Sequence, residues 1–174
     1  MGPGYAKLTD FDKFAASCRA LFRRIADLFG RSILALADDE VVAVSSTVGA
    51  AIAGQSGISA SRAPLVANSK ATHHFLPDLV PPVDRAYTLE FFFKRSDAPG
   101  GVAETFDLIF QGFVQIARAN VAYVRDAASR GVGASGPRAW DSGHAKVLDN
   151  ALIGWVRRHP SKARRVGSSE RDVG

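Results

Sequence analysis

The sequence predicts a single all-α domain of about six helices. Apolar residues recur at spacings of three and four through most of the chain, which is the period of an amphipathic helix. Glycine and proline clusters interrupt this pattern at intervals that suit helix ends. The chain has 174 residues, of which 47% are apolar, so it is long enough to build one core and shows no sign of a second.

The first predicted helix begins after Thr9 or Asp10, either of which can cap its N-terminus, and it ends at Gly30. Its apolar residues form one stripe, and most charged residues lie outside that stripe, as in an amphipathic surface helix. The stripe consists of Phe11, Phe14, Cys18, Leu21, Phe22, Ile25, Leu28 and Phe29.

A second helix is predicted over about residues 39–53, with Asp38 or Asp39 as its cap. The valine-rich residues 41–44 would also suit a strand. The alanine-rich continuation and the lack of a partner strand favour a helix instead.

Ser59 or Ser61 can cap a third helix, which tolerates a proline in its first turn and runs to about Phe75. Residues 76–83 are not predicted to be helical, because the prolines at 81 and 82 each hold the preceding residue in an extended conformation. The last three helices are predicted after Val83 or Asp84, over about residues 102–128 and over about residues 143–158.

Most of the basic character of the chain lies in its last eighteen residues. Residues 157–174 carry six basic and two acidic side chains, which leaves residues 1–156 with a net charge of only +1. The predicted organisation is therefore a helical domain over residues 1–156 and a flexible basic tail over residues 157–174. Such a tail would have a salt-sensitive affinity for phosphates that does not depend on sequence, or it would be no more than a solvated terminus.

Several classes of protein are not expected. Cys18 is the only cysteine, so an internal disulfide cannot form. No apolar run reaches the length of a membrane span, and the first residues lack the apolar core of an export signal. The expectation is a cytoplasmic protein without a membrane partner.

The densest polar cluster lies between residues 68 and 88. Ser69 and His73 are four residues apart, as are Lys70 and His74, so each pair shares one face of a helix. Asp84 follows the double proline at the start of the next helix. It can cap that helix, or it can serve as an oriented base or electrostatic stabiliser.

Ten residues are candidates for a functional site. The catalytic candidates are Lys70, His73, His74 and Asp84. The ligand-binding candidates are Ser69, Arg85, Tyr87, Trp140, Lys146 and Asn150. No metal site is expected, because adjacent histidines on a helix point about 100° apart, and no cofactor is expected either.

The motif SKxxHHxLPxLVPPxDRxYT at residues 69–88 resembles a signature of a family of uncharacterised bacterial proteins of similar length. The stretches WDS at 140–142 and KVLDNALIG at 146–154 are similar to the C-terminal motif of the same family. This resemblance covers most of the chain and implies no particular activity.

A more distant resemblance is to the helix-hairpin-helix base-excision DNA glycosylases. It rests on the order of a glycine-containing turn, a helix with Ser-Lys and His, and the run Pro82-Val83-Asp84 at the start of another helix. In that family the turn binds a DNA phosphate, and the aspartate after the proline supports loss of the base. Residues 54–58 lack the usual Gly-x-Gly hairpin, and Lys70 does not occupy the lysine position of the lyase-type members.

Two functions therefore remain open from the sequence. One is a polar pocket that binds DNA or another polyanion, with glycosylase-like chemistry in which a histidine acts as acid or base near Asp84. The other is a binding or regulatory module that is not an enzyme, in which the same residues form a structural network. Whether the chain is an enzyme, and its oligomeric state, are left undecided by the sequence.

Overall fold

A computed structural model describes residues 9–60, 64–131 and 143–159. Over these ranges the chain forms seven α-helices and no β-strand, which confirms the all-α prediction. A 3₁₀ turn, Ala26–Leu28, follows the first helix, and a π-helical segment, Arg85–Leu89, precedes the fourth. The helices are α1 Phe11–Ile25, α2 Asp38–Ala53, α3 Pro64–Phe75, α4 Glu90–Phe93, α5 Val102–Ala119, α6 Val121–Gly131 and α7 His144–Arg158.

The prediction of about six helices was one too low, because the helix expected over residues 102–128 is two helices, α5 and α6. The break lies at Asn120, which leaves the helical conformation with φ −134°. Its side-chain amide donates to the carbonyl of Ile116 at 2.8 Å. Asparagine side chains compete for backbone groups in this way, so they favour helix ends over helix interiors.

The centre of the molecule is the packing of α2 against α5, with α1 and α3 also packed on α2. The rings of Phe106, Phe110 and Phe113 on α5 are fully buried in this core. The last helix, α7, packs against α5, α6 and the π-helical segment. None of the helices in the described ranges is both long and apolar enough to cross a membrane.

The apolar stripe predicted for the first helix, which the structure divides between α1 and the 3₁₀ turn with Phe29 after it, is only partly buried. Leu21 and Ile25 lie in the core, whereas Phe11, Phe22 and Phe29 are 78%, 49% and 40% exposed. The ring of Phe22 contacts other surface aromatics, at 5.0 Å from Phe29 and 6.2 Å from Phe75 between centroids. Helical periodicity identifies one side of a helix, but it does not show how much of that side a neighbouring element covers.

Candidate functional site

A cleft of about 830 Å³ lies between the C-terminal half of α3, the loop that follows it, the end of α6 and the start of α7. Six of the predicted site residues line this cleft: Lys70, His73, His74, Asp84, Tyr87 and Lys146. Five polar residues that were not predicted also line it: Asp78, Arg125, Ser129, His144 and Asp149.

The other four predicted residues lie elsewhere or are not described. Ser69 is fully buried in the protein rather than in the cleft wall. Arg85 and Asn150 are exposed and are not part of the cleft lining. Trp140 lies outside the described residues.

Part of the polar cluster is used to hold the chain in place. The Ser69 hydroxyl accepts a hydrogen bond from the backbone N–H of Val83 at 3.0 Å. The Asn68 side chain donates to the carbonyls of Ile52 and Gln55, both at 2.9 Å. The Ser69 bond fixes the proline-containing loop on α3, which sets the position of Asp84. The Asn68 bonds hold α3 against the C-terminal end of α2, and all three satisfy buried backbone groups.

His73 also belongs to this structural network. Its Nδ1 lies 2.7 Å from the carbonyl oxygen of Val80, and because a carbonyl only accepts, Nδ1 carries the proton. The residue is 8% exposed, and this burial lowers the pKa of the imidazole, with a smaller contribution from His74. His73 is therefore held as a neutral ring whose Nε2 is unprotonated.

Asp84 caps a helix, which is one of the two roles considered from the sequence, and its side chain also reaches the cleft. Its Oδ1 accepts from the backbone N–H of Ala86 at 2.8 Å, which caps the π-helical segment. Its Oδ2 lies 3.4 Å from the ammonium of Lys70, on the wall of the cleft. Capping therefore leaves one carboxylate oxygen available to the cleft, and π-helical turns of this kind are frequent at functional sites.

A second lysine–carboxylate pair lies in the same cleft. The Lys146 ammonium donates to Oδ2 of Asp149 at 2.7 Å, and Asp149 is only 3% exposed. No described residue hydrogen-bonds to its Oδ1. Burial raises the pKa of the Asp149 carboxyl, and the hydrogen bond from Lys146 opposes that increase. A buried carboxyl with an unpaired oxygen beside a cleft is a common feature of binding and catalytic sites.

The sequence did contain a signal for Asp149. It is spaced by four residues from Ala145 and by three from Leu152, both of which are buried on α7. A charged residue at a position with core periodicity has to be paired or functional.

Asp78 and His144 form the third polar pair of the cleft. His144 Nδ1 lies 3.1 Å from Oδ1 of Asp78 and 2.9 Å from the hydroxyl of Ser32. The backbone N–H of His144 donates to the same Asp78 Oδ1 at 2.9 Å, so Asp78 also caps the first turn of α7. No local pattern could have predicted this pair, because its members are 66 positions apart.

Other features predicted from the sequence lie away from the cleft. Cys18 is half-buried on α1, where burial raises the pKa of its thiol. Among the described residues, no group of three or more histidine, cysteine, aspartate or glutamate side chains is arranged to hold a metal ion.

The cleft is balanced in charge and rich in hydrogen-bonding groups. Its lining includes three basic side chains, three carboxylates and three histidines. Such a lining suits a polar ligand that both donates and accepts hydrogen bonds. Comparisons of the chain with protein-family models, curated proteins and solved structures found no match.

Proposed function

We propose that the protein binds nucleic acid, receives a base in the cleft and cleaves its N-glycosidic bond by hydrolysis. The observation that carries this proposal is the Lys70–Asp84 pair on the cleft wall, with Asp84 at the start of a helix behind a double proline. This is the setting that resembles the aspartate of the base-excision glycosylases. Enzymes that act on a base take it out of the stack into a polar pocket, which the cleft would provide.

Asp84 would act on the sugar. When the bond between C1′ and the base weakens, positive charge develops on the sugar ring, and a fixed carboxylate stabilises that charge. Water then supplies the oxygen that bonds to C1′, and the base leaves with the bonding electrons and takes up the proton that the water loses. Lys146 would donate a hydrogen bond to the departing base, because its ammonium has three donors and Asp149 occupies only one of them.

The basic groups near the cleft would bind the phosphates. Lys70 and Arg125 line the cleft, and Arg157 lies beside it with its guanidinium 5.4 Å from the ring centroid of Tyr87. The tail adds further basic residues in sequence. Phosphate contacts of this kind give affinity that decreases as salt is raised.

The test is the substitution Asp84→Asn in the full chain. Asparagine keeps an oxygen that can accept from the Ala86 N–H, so the cap remains, whereas the carboxylate charge is lost. The matched control is Asp10→Asn, because Asp10 caps α1 and pairs with Lys13 at 3.0 Å. Oligonucleotides that carry uracil, alkylated purines or oxidised purines are incubated with each protein, and abasic sites are revealed by alkaline cleavage.

We expect excision of at least one of these bases by the wild type. Asp84→Asn should reduce the rate by about 100-fold or more, whereas Asp10→Asn should leave it unchanged. Both variants should melt within a few degrees of the wild type. The proposal is wrong if no base in the panel is released, or if Asp84→Asn retains the wild-type rate.

A second candidate is a binding module without catalysis. The observation in its favour is that Ser69, Asn68 and His73 satisfy backbone groups and serve the fold. Fluorescence anisotropy with the same oligonucleotides separates the two functions. Salt-sensitive binding that Lys146→Gln weakens, with no excision, would favour the binding module.

A further inference from the structure

The three histidines that line the cleft differ in how they are held. His73 is almost fully buried, and no described residue hydrogen-bonds to the ring of His74. His144 alone combines a carboxylate partner for its ring with a side chain that is 27% exposed. It is therefore the imidazole that is both oriented and accessible to a ligand.

Both polar contacts of the His144 ring are made by one nitrogen, Nδ1. Its Nδ1 lies 3.1 Å from Oδ1 of Asp78, and it hydrogen-bonds at 2.9 Å to the hydroxyl of Ser32, which can donate or accept. When Nδ1 carries the proton, Nε2 has a lone pair for a ligand or water. A carboxylate beside Nδ1 favours this tautomer, and such an arrangement prepares a histidine ring as a general base.

The backbone fixes the position of the same ring. Oδ1 of Asp78 accepts the backbone N–H of His144 and lies 3.1 Å from its ring Nδ1, so the side chain and the first turn of α7 are held beside the same carboxylate. The preceding residue, Gly143, packs tightly against Pro77. A Cβ at that position would lie 2.5 Å from the backbone oxygen of Pro77.

We infer that Asp78 and His144 form a catalytic dyad in which His144 Nε2 is the general base for water. This inference rests on the proposed hydrolysis of a glycosidic bond. His144 Nε2 takes a proton from water as the water oxygen bonds to C1′, while the bond from C1′ to the base breaks and its electrons go to the base. The imidazolium then returns the proton to a nitrogen of the departing base. Asp78 is the positioning residue, since it acts through His144.

The first experiment requires no substrate. Long-range ¹⁵N–¹H NMR spectra of the full chain identify the tautomer of each histidine, with assignments from single His→Gln variants. We expect His144 to carry its proton on Nδ1, and Asp78→Asn to change its ring signals. At a pH where the imidazole is neutral in both proteins, diethyl pyrocarbonate should modify His144 more slowly in Asp78→Asn than in the wild type, because a carboxylate partner makes the ring more nucleophilic. The matched control is Asp126→Asn, which removes an exposed carboxylate that pairs with Arg130 on α6.

The second experiment uses the excision assay. His144→Gly should lose activity, and added imidazole should restore part of it, because a free imidazole can occupy the space of the missing ring. Asp78→Asn should lower kcat by about 100- to 10,000-fold with little change in KM. His159→Gln provides a control at an exposed histidine at the opposite end of α7.

Each outcome decides the inference. A proton on Nε2 of His144 overturns the dyad whatever the activity, and so does an equal diethyl pyrocarbonate rate in Asp78→Asn and the wild type. Wild-type excision that survives His144→Gly also overturns it, while leaving the proposed function intact. If the wild type releases no base, the proposed function fails, and the role in hydrolysis fails with it. The tautomer and the diethyl pyrocarbonate rates still decide whether the dyad exists.

Discussion

Replacement of His73 by asparagine should change how the stability of the protein depends on pH. The Nδ1–H of His73 donates to the Val80 carbonyl at 2.7 Å, and the amide nitrogen of asparagine can donate from a similar position. Burial lowers the pKa of His73 in the folded protein, whereas in the unfolded chain it is about 6.5. The unfolded state therefore binds more protons as the pH falls below about 6.5, and the stability of the folded state decreases.

The size of this pH-dependent loss of stability follows from the difference in the pKa of His73 between the folded and unfolded states. At about pH 5.5, one unit below the unfolded pKa, a histidine that stays neutral in the fold costs at most about 1.4 kcal/mol relative to neutral pH. Asparagine does not titrate, so the variant should lack this loss. Urea unfolding at several pH values between about 5 and 8 gives the free energy of unfolding of each protein as a function of pH. The contributions of other groups cancel in the difference between the two proteins.

The matched control is His74→Asn, which removes the adjacent exposed imidazole. The free energy of unfolding of this variant should depend on pH as that of the wild type does, because the exposed His74 lacks the buried contact that His73 makes with Val80. If the free energy of unfolding depends on pH in the same way in the wild type and in His73→Asn, the structural role of His73 is refuted. A change in His74→Asn as large as that in His73→Asn would refute it as well.

Two further predictions concern α7. Burial raises the pKa of Asp149, so the stability conferred by its protonated form is present below about pH 4 and is lost as the pH rises through the folded pKa. Urea unfolding should show this loss in the wild type and not in Asp149→Asn. The same slope of unfolding free energy against pH in both proteins would contradict the prediction. Gly143→Ala should destabilise the protein by about 1–3 kcal/mol, because its Cβ would meet a backbone oxygen at 2.5 Å. Gly154→Ala has open space at its Cβ and should instead stabilise α7 by up to about 1 kcal/mol. If the two variants change the melting temperature equally, the close packing of Gly143 on Pro77 is contradicted.

The helical architecture could be predicted because its signals are local. Asp10 caps α1, and the prolines at 81 and 82 interrupt the helices between α3 and the π-helical segment. These effects depend on a residue and its immediate neighbours, which are visible in a sequence. The division of α5 from α6 was not predicted, because asparagine is tolerated inside many helices and only its conformation at 120 reveals the break.

The site was predictable only where it is local. Lys70, His74 and Asp84 lie within 15 residues of one another, and a helix followed by an extended segment brings them to one wall of the cleft. Asp78 and His144 meet only because α7 folds back over the α3 loop, and that packing has no signature in either segment alone. Arg85 shows the opposite error, since it follows Asp84 in the chain and yet is not part of the cleft lining.

The most direct measurement of the central claim is photo-crosslinking of the full chain to a single-stranded oligonucleotide that carries 5-iodouracil, with mapping by mass spectrometry. A base that enters the cleft should crosslink to Tyr87 or His74, which both line it. Asp84→Asn should retain these crosslinks while excision is lost. Crosslinks confined to residues 160–174, or to the surface of α1, would show that nucleic acid does not enter the cleft and would contradict the proposed function.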